Sequence, residues 1–183
     1  EGEPLGRDGL TTEWHENGQK KSEQHCEGYS NLPLLLIEWH ENGQKKSEEN
    51  FKTKAGVLIE WHENGKKKLD GQYDEVLFTE GQFRDWGGIK EEYKEYFKKG
   101  RWTEWHKNGQ KSLEGSYSFD NDLYQEERLY AAKVGEWIEW HENGQKKVII
   151  DYTGKSQLEV NSWHKNGQKK FEGSFLSKIK ETY

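Results

Sequence analysis

Apolar and polar positions alternate in short runs that restart every twenty-odd residues. The restarts are marked by one near-identical string, Trp-His-Glu/Lys-Asn-Gly-Gln/Lys-Lys, which begins at Trp14, Trp39, Trp61, Trp105, Trp140 and Trp163. Counting each unit from its Trp as zero, position +8 holds Ser22, Ser47, Leu69, Leu113, Val148 and Phe171. Position +12 holds Cys26, Phe51, Tyr73, Tyr117, Tyr152 and Phe175. The residues at +7, +9 and +11 are mostly Lys, Glu and small polar types, so the segment reads as a strand with one apolar face. Ahead of the Trp, position −2 is Ile37, Ile59 and Ile138, and −1 is Glu13, Glu38, Glu60, Glu104 and Glu139. That is a second strand with −2 and 0 on one face. Asn-Gly between the two strands is a strong hairpin signal.

The register follows from which side chains end up together, because a one-residue slip moves every side chain to the other face. A two-residue turn pairs Trp with +7 and buries charge. A three-residue loop, Glu-Asn-Gly, pairs Trp with +6, sets −2 against +8 and sets the −1 Glu against the +7 Lys. The sequence therefore predicts a type I turn followed by Gly in the left-handed conformation at Gly18, Gly43, Gly65, Gly109, Gly144 and Gly167. Each Trp is expected beside the stem of its own +6 lysine, Lys20, Lys45, Lys67, Lys111, Lys146 or Lys169. In this register the structural core is the Trp at zero (Trp14, Trp39, Trp61, Trp105, Trp140, Trp163) together with Phe51, Tyr73, Tyr117, Tyr152 and Phe175. Position −3 (Leu36, Leu58, Trp102, Trp137, Val160) then falls on the wet face, where apolar residues need an explanation. Either twist brings both faces inward, or a partner covers the second face.

Successive Trp residues lie 25, 22, 44, 35 and 23 positions apart. The 44 is twice 22, and Phe83-Arg84-Asp85-Trp86-Gly87 reads as a decayed copy over residues 83–97. The 35 holds an insertion at 120–134, for which a short helix is favoured over a longer hairpin. The fold expected is all-β: an elongated antiparallel meander of about seven β-hairpin repeats of about 22 residues, about fourteen strands in a single twisted sheet. Residues 1–9 form a lead and 10–182 one repeat domain.

Composition narrows the function. Leu, Ile, Val and Phe make up only about 18% of the chain, a level at which disorder competes with folding. Nine Trp, nine Tyr and seven Phe argue for a thin aromatic core instead. The longest apolar run, Leu34-Leu35-Leu36-Ile37, is far too short for an integral membrane segment. With 28 basic against 34 acidic residues, no bulk charge draws the chain to nucleic acid. The chain begins at Glu1 and contains no Met, which leans the reading toward export, to the cell surface or beyond, after signal removal.

Little in the sequence points to chemistry. Six equivalent histidines (His15, His40, His62, His106, His141, His164) suggest a metal, but equivalent residues of adjacent hairpins sit two strands apart, about 9–10 Å, too far to share an ion. Solvated imidazoles beside the +5 Gln are expected, with protonation below about pH 6 altering association. Cys26 beside His25 is no nucleophile and base, since strand neighbours face opposite ways; Cys26 belongs in the buried +12 slot. The Lys-Lys pairs have Glu at −1 or +9 at hand, which disfavours binding of lipid headgroups. Identical polar groups recurring along a surface do not make the asymmetric pocket that catalysis needs, so no catalytic, metal or cofactor residues are assigned.

The run Gly135-Glu136-Trp137-Ile138-Glu139-Trp140-His141-Glu142-Asn143-Gly144, and the wider pattern Gly-x-Trp-x-x-Trp/Tyr-x-x-Asn-Gly-x-x-Lys-x-Glu, resemble the MORN-variant repeat of bacterial YwqK-type antitoxin proteins. The resemblance spans about residues 10–175 and implies a β-hairpin repeat fold with a binding role. His in place of a second aromatic after the Trp departs from that pattern. The function expected is a non-enzymatic scaffold for a protein partner, with Trp86, Trp102, Trp137, Leu36 and Leu58 as contact residues. Trp102→Ala should then weaken partner binding without unfolding the chain. Self-assembly into a filament through edge strands is the second reading. Toxin neutralisation, which would place the chain in the cytoplasm, rests on the resemblance alone.

Overall fold

The computed structural model describes residues 9–26, 34–51, 55–81, 90–118, 132–152 and 157–176; of 75–81, 90–96 and 157 it describes the backbone alone. The described residues form one open sheet of twelve strands: β1 (Gly9–Trp14), β2 (Lys20–Cys26), β3 (Leu35–Trp39), β4 (Lys45–Asn50), β5 (Ala55–Trp61), β6 (Lys67–Gly81), β7 (Lys90–Trp105), β8 (Lys111–Ser118), β9 (Ala132–Trp140), β10 (Lys146–Asp151), β11 (Gln157–Trp163) and β12 (Lys169–Leu176). Each pairs antiparallel with its neighbour in the chain, so strand order equals sequence order. At about 4.8 Å per step the sheet is about 50 Å long.

The six turns form as the sequence dictates. His15 N–H donates to the Gln19 carbonyl (2.8 Å) and Gly18 N–H to the His15 carbonyl (2.9 Å), and the same pair of bonds recurs in every unit. The turn glycines have φ of 82°, 79°, 76°, 90°, 81° and 82°, the left-handed region in which a side chain is strained. The Asn of each turn caps it: Asn17 Oδ1 accepts the Gln19 N–H at 3.0 Å.

Beyond the turn the register departs from expectation by one residue. Trp14 pairs with Lys20, as predicted, but Glu13 pairs with Ser22 and Thr12 with Glu23. Lys21 is an extra residue, a bulge, and the same slip follows the Trp in all six hairpins. The slip moves the −2 residues away from +8 and +12 and brings −1, −3 and −5 onto their face instead. The expected −1 to +7 ion pairs nevertheless form, because the bulged lysine still reaches its glutamate: Lys21–Glu13, Lys46–Glu38, Lys68–Glu60 and Lys147–Glu139 lie at 2.6–3.1 Å.

This exchange of faces corrects the core. Trp102 and Trp137 are 4% exposed and Leu58 is 9% exposed, and Leu36 is half-buried. These −3 residues were expected as accessible contacts; they are the interior. The zero-position Trp residues expected as core are half-buried, and Trp14 is 61% exposed. Phe175, at 51%, lies on the outer strand and is equally open. The interior is a single file of rings, tilted at Phe51–Tyr73 (centroids 6.0 Å apart) and edge-on at Tyr73–Trp102 (5.2 Å), Trp102–Tyr117 (5.9 Å) and Tyr117–Trp137 (4.9 Å). Burial pushes the phenols of Tyr73, Tyr117 and Tyr152 above the usual tyrosine range.

Two glycines make each buried indole possible. Gly100 and Gly135, both at φ 65°, sit two residues ahead of Trp102 and Trp137 at irregularities in the β6–β7 and β8–β9 ladders. The indoles then lie on Gly71 and Gly115 of the preceding strand, where a Cβ would overlap the ring. Each indole N–H donates to the next carbonyl, Trp102 to Gln72 and Trp137 to Ser116, both at 3.2 Å.

The described residues hold twelve strands where about fourteen were expected of the chain. The interval between Trp61 and Trp105 is filled by β6 and β7, which run on as one long pair from Leu69↔Glu104 to Gly81↔Lys90. Of the copy expected at 83–97, residues 82–89, including Trp86, lie outside the described residues and 90–97 belong to β7. Of the insertion at 120–134, residues 120–131 lie outside the described residues, and 132–134 open β9.

Gly115→Ala should lower stability by about 2 kcal/mol, since the new methyl displaces an indole that has no other seat. Trp102→Ala should cost about 3–4 kcal/mol. Both are read from denaturant midpoints followed by tryptophan fluorescence; a change below about 0.5 kcal/mol in either would contradict this placement of the core.

Candidate functional site

The chemistry-bearing residues gather along the rim formed by the six turns, and there each turn grips the next. His15 Nε2 lies 3.0 Å from the Trp39 carbonyl, and His40, His62, His106 and His141 repeat the contact on the carbonyls of Trp61, Trp105, Trp140 and Trp163 at 2.8–3.1 Å. A carbonyl only accepts, so Nε2 carries the proton in each. Asn17 Nδ2 donates to the Glu41 carbonyl at 2.7 Å, and Asn42, Asn64, Asn108 and Asn143 do the same to Glu63, Lys107, Glu142 and Lys165 at 2.7–2.8 Å. Five of the six motif histidines, expected as solvated, are therefore side-chain rungs between hairpins. Among the described residues no group of three His, Cys, Asp or Glu is placed to hold a metal ion.

The +6 lysines run across the same joints. Lys20, Lys45, Lys67 and Lys111 place Nζ 5.4–5.9 Å from the ring centres of Trp39, Trp61, Trp105 and Trp140. Each covers the Trp of the following unit, where the sequence suggested its own. The same ammonium groups pair with the acid at +9: Lys20–Glu23 (2.5 Å), Lys45–Glu48 (2.8 Å), Lys67–Asp70 (2.8 Å) and Lys111–Glu114 (2.5 Å). The outcome is a line of half-exposed Trp rings, each capped by a neutralised lysine.

An open cleft of about 370 Å³ lies over the second and third hairpins, and Glu49, one of its lining carboxylates, has no ion pair among the described residues. Glu49 sits opposite Leu36 on one side and Leu58 on the other. Burial, and then the nearby charges of Glu38 and Glu60, hold its carboxyl above the usual range. Glu38 behaves oppositely: hydrogen bonds from Lys46 and Ser47 outweigh its burial and hold it below the usual range. Cys26, expected in the buried +12 slot, is half-buried beneath the Gln24 amide, whose Nε2 lies 3.3 Å from Sγ.

The sequence singled out the histidines and lysines but not what they touch. The hint was the constancy of Asn at +3 and His at +1, tighter than a hairpin turn alone requires.

Asn108→Asp keeps the oxygen that accepts the Gln110 N–H (2.9 Å) and loses the donor to Glu142. It should cost about 1 kcal/mol in a chemical denaturation curve; a neutral result would deny the inter-turn bond any weight. Glu49→Gln should raise the melting temperature at pH 7. A carboxyl whose pKa rises on folding costs stability above that pKa and none below the unfolded value, so the gain should vanish as the pH falls through about 4.5. A gain that persists at pH 4 would exclude charge as its cause.

Three segments, residues 7–25, 35–53 and 133–153, match the family model described as MORN repeat variant. They coincide with the hairpins β1–β2, β3–β4 and β9–β10 and together cover less than half of the chain. No curated protein matches the chain. At these three places, then, the hairpins are similar to MORN-type repeats, as the resemblance of the motif implied.

Proposed function

We propose that this protein is a non-enzymatic scaffold that binds another protein along its row of lysine-capped tryptophans. The observation that carries the reading is the row itself: Trp39, Trp61, Trp105 and Trp140, half-exposed and presented one hairpin apart on a single-layer sheet. Large aromatic rings beside cations are the groups that anchor protein interfaces. MORN repeats as a group bind proteins or membranes. The ion pairs at +6 and +7 of the first three hairpins favour a protein over an anionic lipid surface, because these six lysines already have their carboxylates. Five of the six turns spend their His and Asn side chains on holding the next hairpin, which supports a cohesive role for these groups. Kinship with YwqK-type antitoxins, and toxin neutralisation with it, is one case of such binding.

The test is capture from the cells that make the protein, with the tagged chain compared with its Lys45→Ala/Lys67→Ala variant. Proteins retained by the native chain should fall at least several-fold on the variant, while circular dichroism stays unchanged. Equal recovery on both would remove the row from the binding surface.

A further inference from the structure

The two outer strands of the sheet carry complementary halves of the joint that links every internal pair of hairpins, and we propose that β12 of one molecule docks on β1 of a second copy, head to tail. The donor half is on the last hairpin. His164 Nε2 has no carbonyl opposite it among the described residues, whereas His15, His40, His62, His106 and His141 each have one. Asn166 Nδ2, which in the other five turns reaches the next hairpin, folds back instead onto Gln168 Oε1 at 3.3 Å. Lys170 makes no ion pair among the described residues, since the acid at −1 is Ser162 in this unit.

The acceptor half is on the first hairpin. The Trp14 and Glu16 carbonyls stand where Trp39 and Glu41 receive their rungs from His15 and Asn17. The Trp14 ring is 61% exposed with no lysine over it among the described residues; at four of the five internal joints the following Trp (Trp39, Trp61, Trp105, Trp140) has one, Trp163 being the exception. Gly18 has open space in front of it, whereas Gly43 and Gly65 are covered by the Gln19 and Gln44 side chains of the preceding turn.

Bringing β12 to β1 in the register used at the internal joints, +8 opposite −1, sets Phe171 opposite Glu13 and Gly173 opposite Thr11. His164 then meets the Trp14 carbonyl, Asn166 meets the Glu16 carbonyl, Gln168 lies over Gly18 and Lys169 over the Trp14 ring. Lys170 faces Glu13, just as Lys21 acts on Glu38 across the first internal joint. The contact also covers the exposed Phe171 and part of the edge left unpaired among the described residues. Donor and acceptor surfaces are different, so the contact is heterologous. Repeated with the twist of the sheet it does not close, and the product is a helical filament.

The experiment uses the full chain and two variants with one altered end each: Trp14→Lys, which removes the ring that Lys169 would cover and adds like charge, and His164→Ala/Asn166→Asp, which removes both donors. Light scattering and negative-stain microscopy are run from micromolar to millimolar concentration. The native chain should grow with concentration past twice its monomer mass and show filaments. Each variant alone should stay monomeric with an unchanged circular dichroism spectrum. An equimolar mixture of the two should stop at the dimer, because one good donor end and one good acceptor end remain. A native chain that stays at 21.7 kDa throughout, or that stops at a closed dimer, overturns the proposal. Neither result touches the lysine-capped row, whose variant keeps both ends intact.

Discussion

A sheet against which no second layer packs among the described residues has to bury its apolar surface sideways, and that constraint governs this protein. A side chain can be shielded only by its neighbours on the next strand. The solution is to lay large rings flat along the sheet: Trp102 on Gly71 and Trp137 on Gly115, each flanked by a tyrosine edge and capped by a lysine, Lys98 at 4.4 Å and Lys133 at 4.2 Å from the ring centres. The missing side chain on one strand is as necessary as the large one on the next. Even so, no large side chain among the described residues is wholly buried, so cohesion is shared among many partial contacts.

The same constraint explains why the polar residues are so uniform. A ladder of backbone hydrogen bonds holds strands together, but it does little to keep one turn aligned with the next at the end of the sheet. Imidazole and amide groups perform that task from the side, on carbonyls that the turns leave unpaired. Their recurrence has the look of a catalytic or metal-binding row in the sequence. It is the signature of a one-dimensional assembly, in which each unit is incomplete until its neighbour is present.

Much of this was written in the chain. Asn-Gly at the same place in each unit specified the turn, and the period-two runs on either side specified antiparallel strands. The pairing of Trp14 with Lys20 was readable too. What the pattern concealed was the single extra residue at Lys21 and its equivalents. Lysine is tolerated on either face, so no side chain there announces a bulge, and one residue reverses which faces meet. The puzzle of Leu36, Leu58, Trp102 and Trp137 on a supposedly wet face was the trace of that reversal. A second trace was available in the phase of the glycines: Gly71 and Gly115 stand at +10 in the two units that a Trp at −3 follows. In the 44-residue interval, arithmetic suggested two units where the backbone simply extends one pair of strands.

The two ends of the strands obey different rules. At the end that bears the turns, five residues from His to Gln or Lys recur without insertion, and in five of the six turns the His and Asn among them bond to the next hairpin. At the opposite end the distance from one Trp to the next stretches from 22 to 44 residues, yet strand order is undisturbed. Invariance and licence are thus segregated to opposite margins of one ribbon. Novel segments can be grafted along one margin while the other preserves the geometry in which they are displayed.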